Sequence, residues 1–327
     1  MITLLALVLG LAMLLVGGTI LVRGASELAF RYGVSPLIVG LTIVAFGTSA
    51  PELAVNISGA LQGATDLAFG NVVGSNISNM GLVLGAAALM TPITIQGQIV
   101  RREVPLLLLA TTVVTVMALD GPLDGRAASI SRSEAIVLML LFLIFVYVNV
   151  LDFARTRRPD PLIANLEHTP LVKTDHQSRL SWLMIVAGIV LLVVGGDMTV
   201  RYGSTLAERI GISETTIGLF VIAVGTSLPE LATTIIAAAR RESDLALGNV
   251  VGSNIFNSLV VLPVSAMFQN IPVPQGGVGD LVVSWSLTAL LIPVFIYGEA
   301  RMGRKTGFFL LAVYLTYAVV RTLGDRV

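Results

Sequence analysis

Two glutamates stand in near-identical settings 178 residues apart: Glu52 closes the stretch GTSAPE at 47–52, and Glu230 closes GTSLPE at 225–230. In each stretch the proline has no N–H, so the carbonyl four residues earlier, on Gly47 or Gly225, loses its helical donor. The glycine loosens the same turn further. Carbonyls over Ala45 to Thr48 can then face a ligand. Thr48 and Glu52 are four residues apart and Ser49 and Glu52 three apart, spacings that share a helix face. A carboxylate, two hydroxyls and freed carbonyls thus converge, an all-oxygen set that suits a hard cation and offers no soft ligand. Gly225, Thr226, Ser227, Pro229 and Glu230 repeat the set.

A second pair of motifs follows each glutamate: GNVVGSNISN at 70–79 and GNVVGSNIFN at 248–257. Gly70 and Gly74, four apart, allow close helix approach. Ser75 and Asn79 put a hydroxyl and an amide oxygen on one face, and Ser253 with Asn257 copy them. Asn71, Asn76, Asn249 and Asn254 are also polar, and satisfying backbone groups between interrupted helices is the role expected of them. The offset of 178 holds without a gap from Gly17/Gly195 to Asn79/Asn257, and 34 of those 63 aligned positions are identical.

The elements that must position these residues are membrane spans. Only 12% of the 327 residues are charged and 55% are hydrophobic, with mean hydropathy +0.90; a soluble chain carries roughly 25% charge. Zero net charge gives no reason to expect a nucleic-acid partner. Cysteine is absent, which removes disulfides, thiolate sites and cysteine nucleophiles. The two histidines, His168 and His176, both lie in one polar stretch. Ten segments approach the roughly 20 apolar residues needed to cross the hydrocarbon core: 2–22, 34–61, 66–90, 103–119, 133–151, 181–199, 212–239, 243–268, 279–298 and 306–322. The first lacks a basic leader and reads as a retained span. Segments two, three, seven and eight carry Gly, Pro, Ser, Thr and Asn at their centres and are expected to be broken helices. With the N-terminus outside, fourteen Lys and Arg fall in inner connections and six in outer ones, so both termini are expected outside. Residues 1–152 and 181–327 then form two five-helix halves joined by a cytoplasmic linker, 153–180.

Five is odd, so the two copies enter the membrane from opposite sides. The fold class expected is an all-α membrane protein of two inverted five-helix repeats, with its site at mid-membrane where the repeats meet. A duplication kept only for packing would not put its strongest similarity into polar, helix-breaking stretches, which are costly in lipid unless they line a cavity. Glu52 and Glu230 are the only carboxylates near the centres of these segments, and no Lys or Arg there could hold them. Two such carboxylates repel when ionised, so a cation sits between them or one is protonated. One divalent ion or two monovalent ions would neutralise a charge of −2.

These motifs resemble the α1 and α2 repeats of the Ca²⁺/cation antiporter superfamily, with the prokaryotic Na⁺/Ca²⁺ exchanger branch most similar, and the resemblance covers nearly the whole chain. It implies Na⁺-driven Ca²⁺ antiport by alternating access, with spans one and six sliding over an eight-helix core. It also implies roles by position. Glu52 and Glu230 bridge a central Ca²⁺ with the Thr48 and Thr226 carbonyls. Ala45, Ser49 and Ser75 serve a Na⁺ site near one face, and Ala223, Ser227 and Ser253 its mirror. Asn79 and Asn257 take the middle position. Some members carry aspartate where this chain has Asn257, which points to a site charge of −2 and no K⁺ co-transport.

The residues themselves leave H⁺/Ca²⁺ exchange, or another divalent such as Mn²⁺, open beside Na⁺/Ca²⁺ exchange. A passive cation channel fits the inverted repeat less well. No span pairs a serine with a His or Lys base, so an intramembrane enzyme is not expected. No cofactor is expected, Ca²⁺ and Na⁺ being transported ligands. The compact pattern suggests a monomer in a prokaryotic inner membrane.

Overall fold

A computed structural model describes residues 2–63, 65–94, 99–119, 125, 128–156, 175–209, 225–297 and 301–324. Nearly all of them are helical. Helix α1 (Ile2–Tyr32) outruns its apolar stretch by ten residues, because Arg23 and Glu27 continue it as an ion pair at i, i+4, 3.0 Å apart. Gly33, at φ 63°, ends it: the N–H of Val34 turns back to the Ala29 carbonyl at 2.9 Å. Ser35 then caps the next helix by accepting from the Leu37 N–H at 3.2 Å, with Pro36 in the first turn.

That second segment is two helices, α2 (Pro36–Thr48) and α3 (Ala50–Leu61), bent 44° at Ser49. The interruption falls where Gly47 and Pro51 flank the serine. Segment three was expected to break as well, yet α4 stays helical throughout, from Thr65–Ser78 through a π turn at Asn79–Val83 into Leu84–Met90. Helix α5 (Val104–Met117) and helix α6 (Arg132–Thr156) complete the first half. In the second half, α7 (Asp175–Arg209) is followed by α8 (Leu228–Ala239). The early part of segment seven lies outside the described residues. Helix α9 copies α4, with Ser243–Phe256, a π turn at Asn257–Val261, and Leu262–Phe268. Helices α10 (Gly277–Tyr297) and α11 (Arg304–Gly324) close the chain. Six helices are long and apolar enough to cross a membrane, seven if α2 and α3 count as one, among the described residues. Within the stretch 153–180, α6 runs to Thr156 and α7 begins at Asp175, and the residues between lie outside the described set.

Helices α1 and α7 lie against each other backbone to backbone. A Cβ on Gly188 would sit 2.7 Å from the Leu21 nitrogen, and one on Gly195 would sit 2.8 Å from the Gly10 carbonyl. Helices of this kind associate through small residues that let backbones approach. The same holds between halves: Gly248 and Gly252 on α9 face Leu37, Gly40 and Leu41 on α2, with Cβ distances of 2.6 and 2.7 Å to the Leu41 and Leu37 carbonyls. Gly70 and Gly74, where close approach was expected, have nothing within 4 Å among the described residues. The repeat mates of α2's contact residues, around 215–223, lie outside that set.

Two short antiparallel bridges tie the halves together. Strand β1 (Ile93–Thr94) pairs with β4 (Arg301–Met302), and β2 (Ser129–Ile130) pairs with β3 (Ile271–Pro272). Ile93 and Ile271 are repeat mates, so each half contributes the end of its long polar helix to a bridge with the other half. Outward faces of α1 and α6 are bare leucine, valine and isoleucine, including Leu4, Leu5, Leu140 and Leu143. Contiguous apolar surface on this scale requires a non-aqueous partner.

Candidate functional site

The bend between α2 and α3, the start of α8, and the middles of α4 and α9 meet in the interior. Glu52, Glu230, Ser49, Ser75, Asn79, Ser253, Asn257 and Thr48 are all fully buried, and Ser227 nearly so. Thr226 is half-buried. Glu52 and Glu230 come from different halves, and Ser49, three residues before Glu52, reaches Glu230 Oε1. Ala223 lies outside the described residues. The expected residues therefore gather at one place, with that exception.

Their partners differ from those suggested by spacing. Ser49 was placed on the Glu52 face, but the bend rotates it away: at φ −86°, ψ 6° it leaves the helix, and its hydroxyl donates to Glu230 Oε1 at 2.9 Å. Ser253 donates to the same oxygen at 3.3 Å. Glu230 thus draws on both halves for hydroxyl donors. Thr48 donates to Asn249 Oδ1 at 3.1 Å, and Thr226 to Asn71 Oδ1 at 3.2 Å. Ser75 lies 3.4 Å from Thr226 Oγ1, as Ser253 lies 3.5 Å from Thr48 Oγ1. The Thr–Asn and Ser–Thr pairs each have their counterpart at an offset of 178, whereas the serine bonds to Glu230 have none at Glu52 among the described residues.

The asparagines divide. Asn254 and Asn249 do address backbone, at 3.2 Å to the Asn76 carbonyl and 3.5 Å to the Glu230 carbonyl. Asn71 and Asn76 instead donate to side chains, Asn56 Oδ1 at 2.6 Å and Ser258 Oγ at 2.9 Å. Asn79 donates to Asn254 Oδ1 at 3.0 Å. Asn56, Thr234 and Ser258 were not singled out by sequence, because each lies outside the motifs and its position relative to them depends on tertiary packing.

Several oxygens are left over. Both carboxylate oxygens of Glu52, Oε2 of Glu230, Ser227 Oγ, Asn79 Oδ1 and both polar atoms of Asn257 are buried with no hydrogen-bond partner among the described residues. Buried acceptors without donors are strongly unfavourable, and a buried carboxylate most of all. Glu103, the other fully buried acid in the described set, is held by Arg102 at 2.6 Å; nothing comparable serves Glu52. Among the described residues no group of three or more His, Cys, Asp or Glu could hold a metal. A cation here would rely on two carboxylates and neutral oxygens, the donor set of a hard ion.

The chain is similar to known membrane proteins over most of its length. Inner membrane protein YrbG of Escherichia coli K12 is 33% identical over 251 residues, 75% of this chain and 74% of that protein. Sodium/calcium exchanger MaX1 of Methanosarcina acetivorans is 31% identical over 274 residues, 76% of this chain and 78% of that one. A solved structure of the sodium-calcium exchanger NCX_Mj superposes with a TM-score of 0.83 at 28% identity, covering 98% of both chains. Residues 2–151 and 180–323 match the family described as sodium/calcium exchanger protein, and the chain belongs to that family.

Proposed function

We propose that this protein is a secondary antiporter that moves Ca²⁺ against Na⁺ by alternating access. The observation that carries the reading is the set of buried, donorless oxygens on Glu52 and Glu230, contributed by two halves that repeat each other. A charge of −2 with no fixed cation beside it requires mobile ones. One Ca²⁺ or two Na⁺ neutralise it equally, and that equivalence is what competition between the ions requires.

In this reading the ten segments form two inverted five-helix repeats, 1–152 and 181–327, joined through 153–180, with both termini outside a prokaryotic inner membrane. Glu52 and Glu230 bridge Ca²⁺ with the carbonyls of Thr48 and Thr226. Ala45, Ser49 and Ser75 form a Na⁺ site toward one face, Ala223, Ser227 and Ser253 toward the other, and Asn79 and Asn257 lie between. The relatives whose names specify sodium/calcium exchange support the choice of ions. Proton exchange is the second reading, favoured by the pairing of two facing carboxylates, since such pairs also share protons.

The test is uptake of labelled Ca²⁺ into proteoliposomes loaded with Na⁺. Uptake should follow the outward Na⁺ gradient and stop when it is collapsed. Uptake driven by a pH jump in Na⁺-free buffer would replace this reading with the second.

A further inference from the structure

Thr48 has one hydroxyl proton and several acceptors near it: Asn249 Oδ1 at 3.1 Å, the Ala45 carbonyl at 3.3 Å, Ser253 Oγ at 3.5 Å and the Glu230 carboxylate. A helical threonine commonly gives that proton to a carbonyl three or four residues back. Thr42, Thr111, Thr112, Thr115 and Thr199 all do so in this chain, at 2.6–2.8 Å. Thr48 differs because Asn249 presents an amide oxygen from the other half.

The direction of that amide is fixed. Its Nδ2 donates to Thr234 Oγ1 at 3.0 Å and faces the Glu230 carbonyl at 3.5 Å, so turning it over would set oxygen against a carbonyl oxygen. The repeat mate is pinned by a longer chain. Asn56 Nδ2 must donate, since it meets the Ala68 carbonyl at 2.9 Å. Its Oδ1 therefore accepts from Asn71 Nδ2 at 2.6 Å, and Asn71 Oδ1 is left to accept from Thr226 at 3.2 Å. Two differently anchored chains end in the same act: an asparagine of one half takes the hydroxyl proton of the other half's GTS motif.

The Ala45 carbonyl accepts the Ser49 N–H at 3.0 Å, which leaves it one lone pair. A hydroxyl proton on that lone pair would occupy the direction a cation needs. We propose that Asn249 is a positioning residue for the cation site: by drawing off the Thr48 proton, it keeps the Ala45 carbonyl open to Na⁺. The inference rests on the antiport reading above.

Na⁺ and Ca²⁺ half-saturation, measured separately in proteoliposomes, test it. Asn249→Leu frees Thr48 to bond Ala45, and should raise the Na⁺ value about tenfold, the effect of one hydrogen bond, with the Ca²⁺ value within about twofold. Adding Thr48→Val removes the competing hydroxyl and should restore Na⁺ half-saturation most of the way. A merely structural asparagine would raise both values together and would not be rescued by a second lesion; either result overturns the proposal. Should Asn249→Leu fail to fold, Asn249→Ala with and without Thr48→Val decides by the same criteria. Wild-type vesicles that ignore Na⁺ would overturn the antiport reading as well, whereas a Na⁺-coupled wild type with unshifted variants removes only this inference.

Discussion

Glu52 and Glu230 have the same sequence neighbours and different surroundings. Glu230 Oε1 accepts two serine hydroxyls, while both oxygens of Glu52 lack donors among the described residues. In the absence of ions, Glu52 is therefore the less favourable of the two charges. Glu52→Gln should abolish exchange yet raise the melting temperature of the ion-free protein in detergent. Ca²⁺ at about a hundred times its dissociation constant should add about 2.7 kcal/mol to wild type and nothing to the variant. Differential scanning fluorimetry with and without Ca²⁺ checks both signs, and a variant that still gains stability from Ca²⁺ would place the site elsewhere. The identity of these residues was legible in the sequence because the motif recurs at one offset. Their partners were not: a spacing of three or four assigns a shared face only while the helix is continuous, and the bend at Ser49 sends that hydroxyl to the opposite half. The asparagines illustrate the same limit, since the proton taken by Asn249 belongs to a residue 201 positions away.

Between elements, the decisive contacts are made by glycine. Helices α1 and α7 approach so closely that the Cβ of any residue replacing Gly188 would meet the Leu21 nitrogen at 2.7 Å and the Gly17 carbonyl at 2.8 Å. Backbone cannot yield as a side-chain end can, so the helices would have to separate. Gly188→Leu is expected to destabilise by about 1–3 kcal/mol, the usual penalty of overpacking, and to lower the melting temperature while leaving the orphaned oxygens of the site in place. A melting temperature equal to wild type would show that the pair is free to part. The seven-residue spacing of Gly10, Gly17 and Gly24 against Gly188 and Gly195 is visible in the sequence, but which helices it joins is not, because both flanks are uniformly apolar. Likewise the polar centres of α4 and α9 foretold a disturbance without giving its kind: asparagines and serines bonded across the two halves hold these segments helical, and the disturbance is confined to one widened turn in each.

At the scale of the whole molecule, the repeat was legible from the offset of 178, and the Thr–Asn hydrogen bonds between the halves follow the same offset, as do Ile93 and Ile271 in the crossed β bridges. The direction of each half in the membrane rests on a different kind of evidence, the unequal count of Lys and Arg in the connections. The antiport reading takes the halves as inverted, so that each repeat opens the shared site to a different face. Gln62 and Arg240 test this directly. They are repeat mates, each ends the helix that carries its glutamate, and both are exposed. The chain has no cysteine, so Gln62→Cys and Arg240→Cys each create a unique thiol without a background to remove. A membrane-impermeant maleimide applied to intact spheroplasts should label position 62 and spare 240, and inside-out vesicles should reverse the pattern. Labelling of both positions from one face would mean the halves run parallel; the two glutamates would then share a single mouth, and a site open alternately to the two sides could not arise from exchanging the roles of the halves.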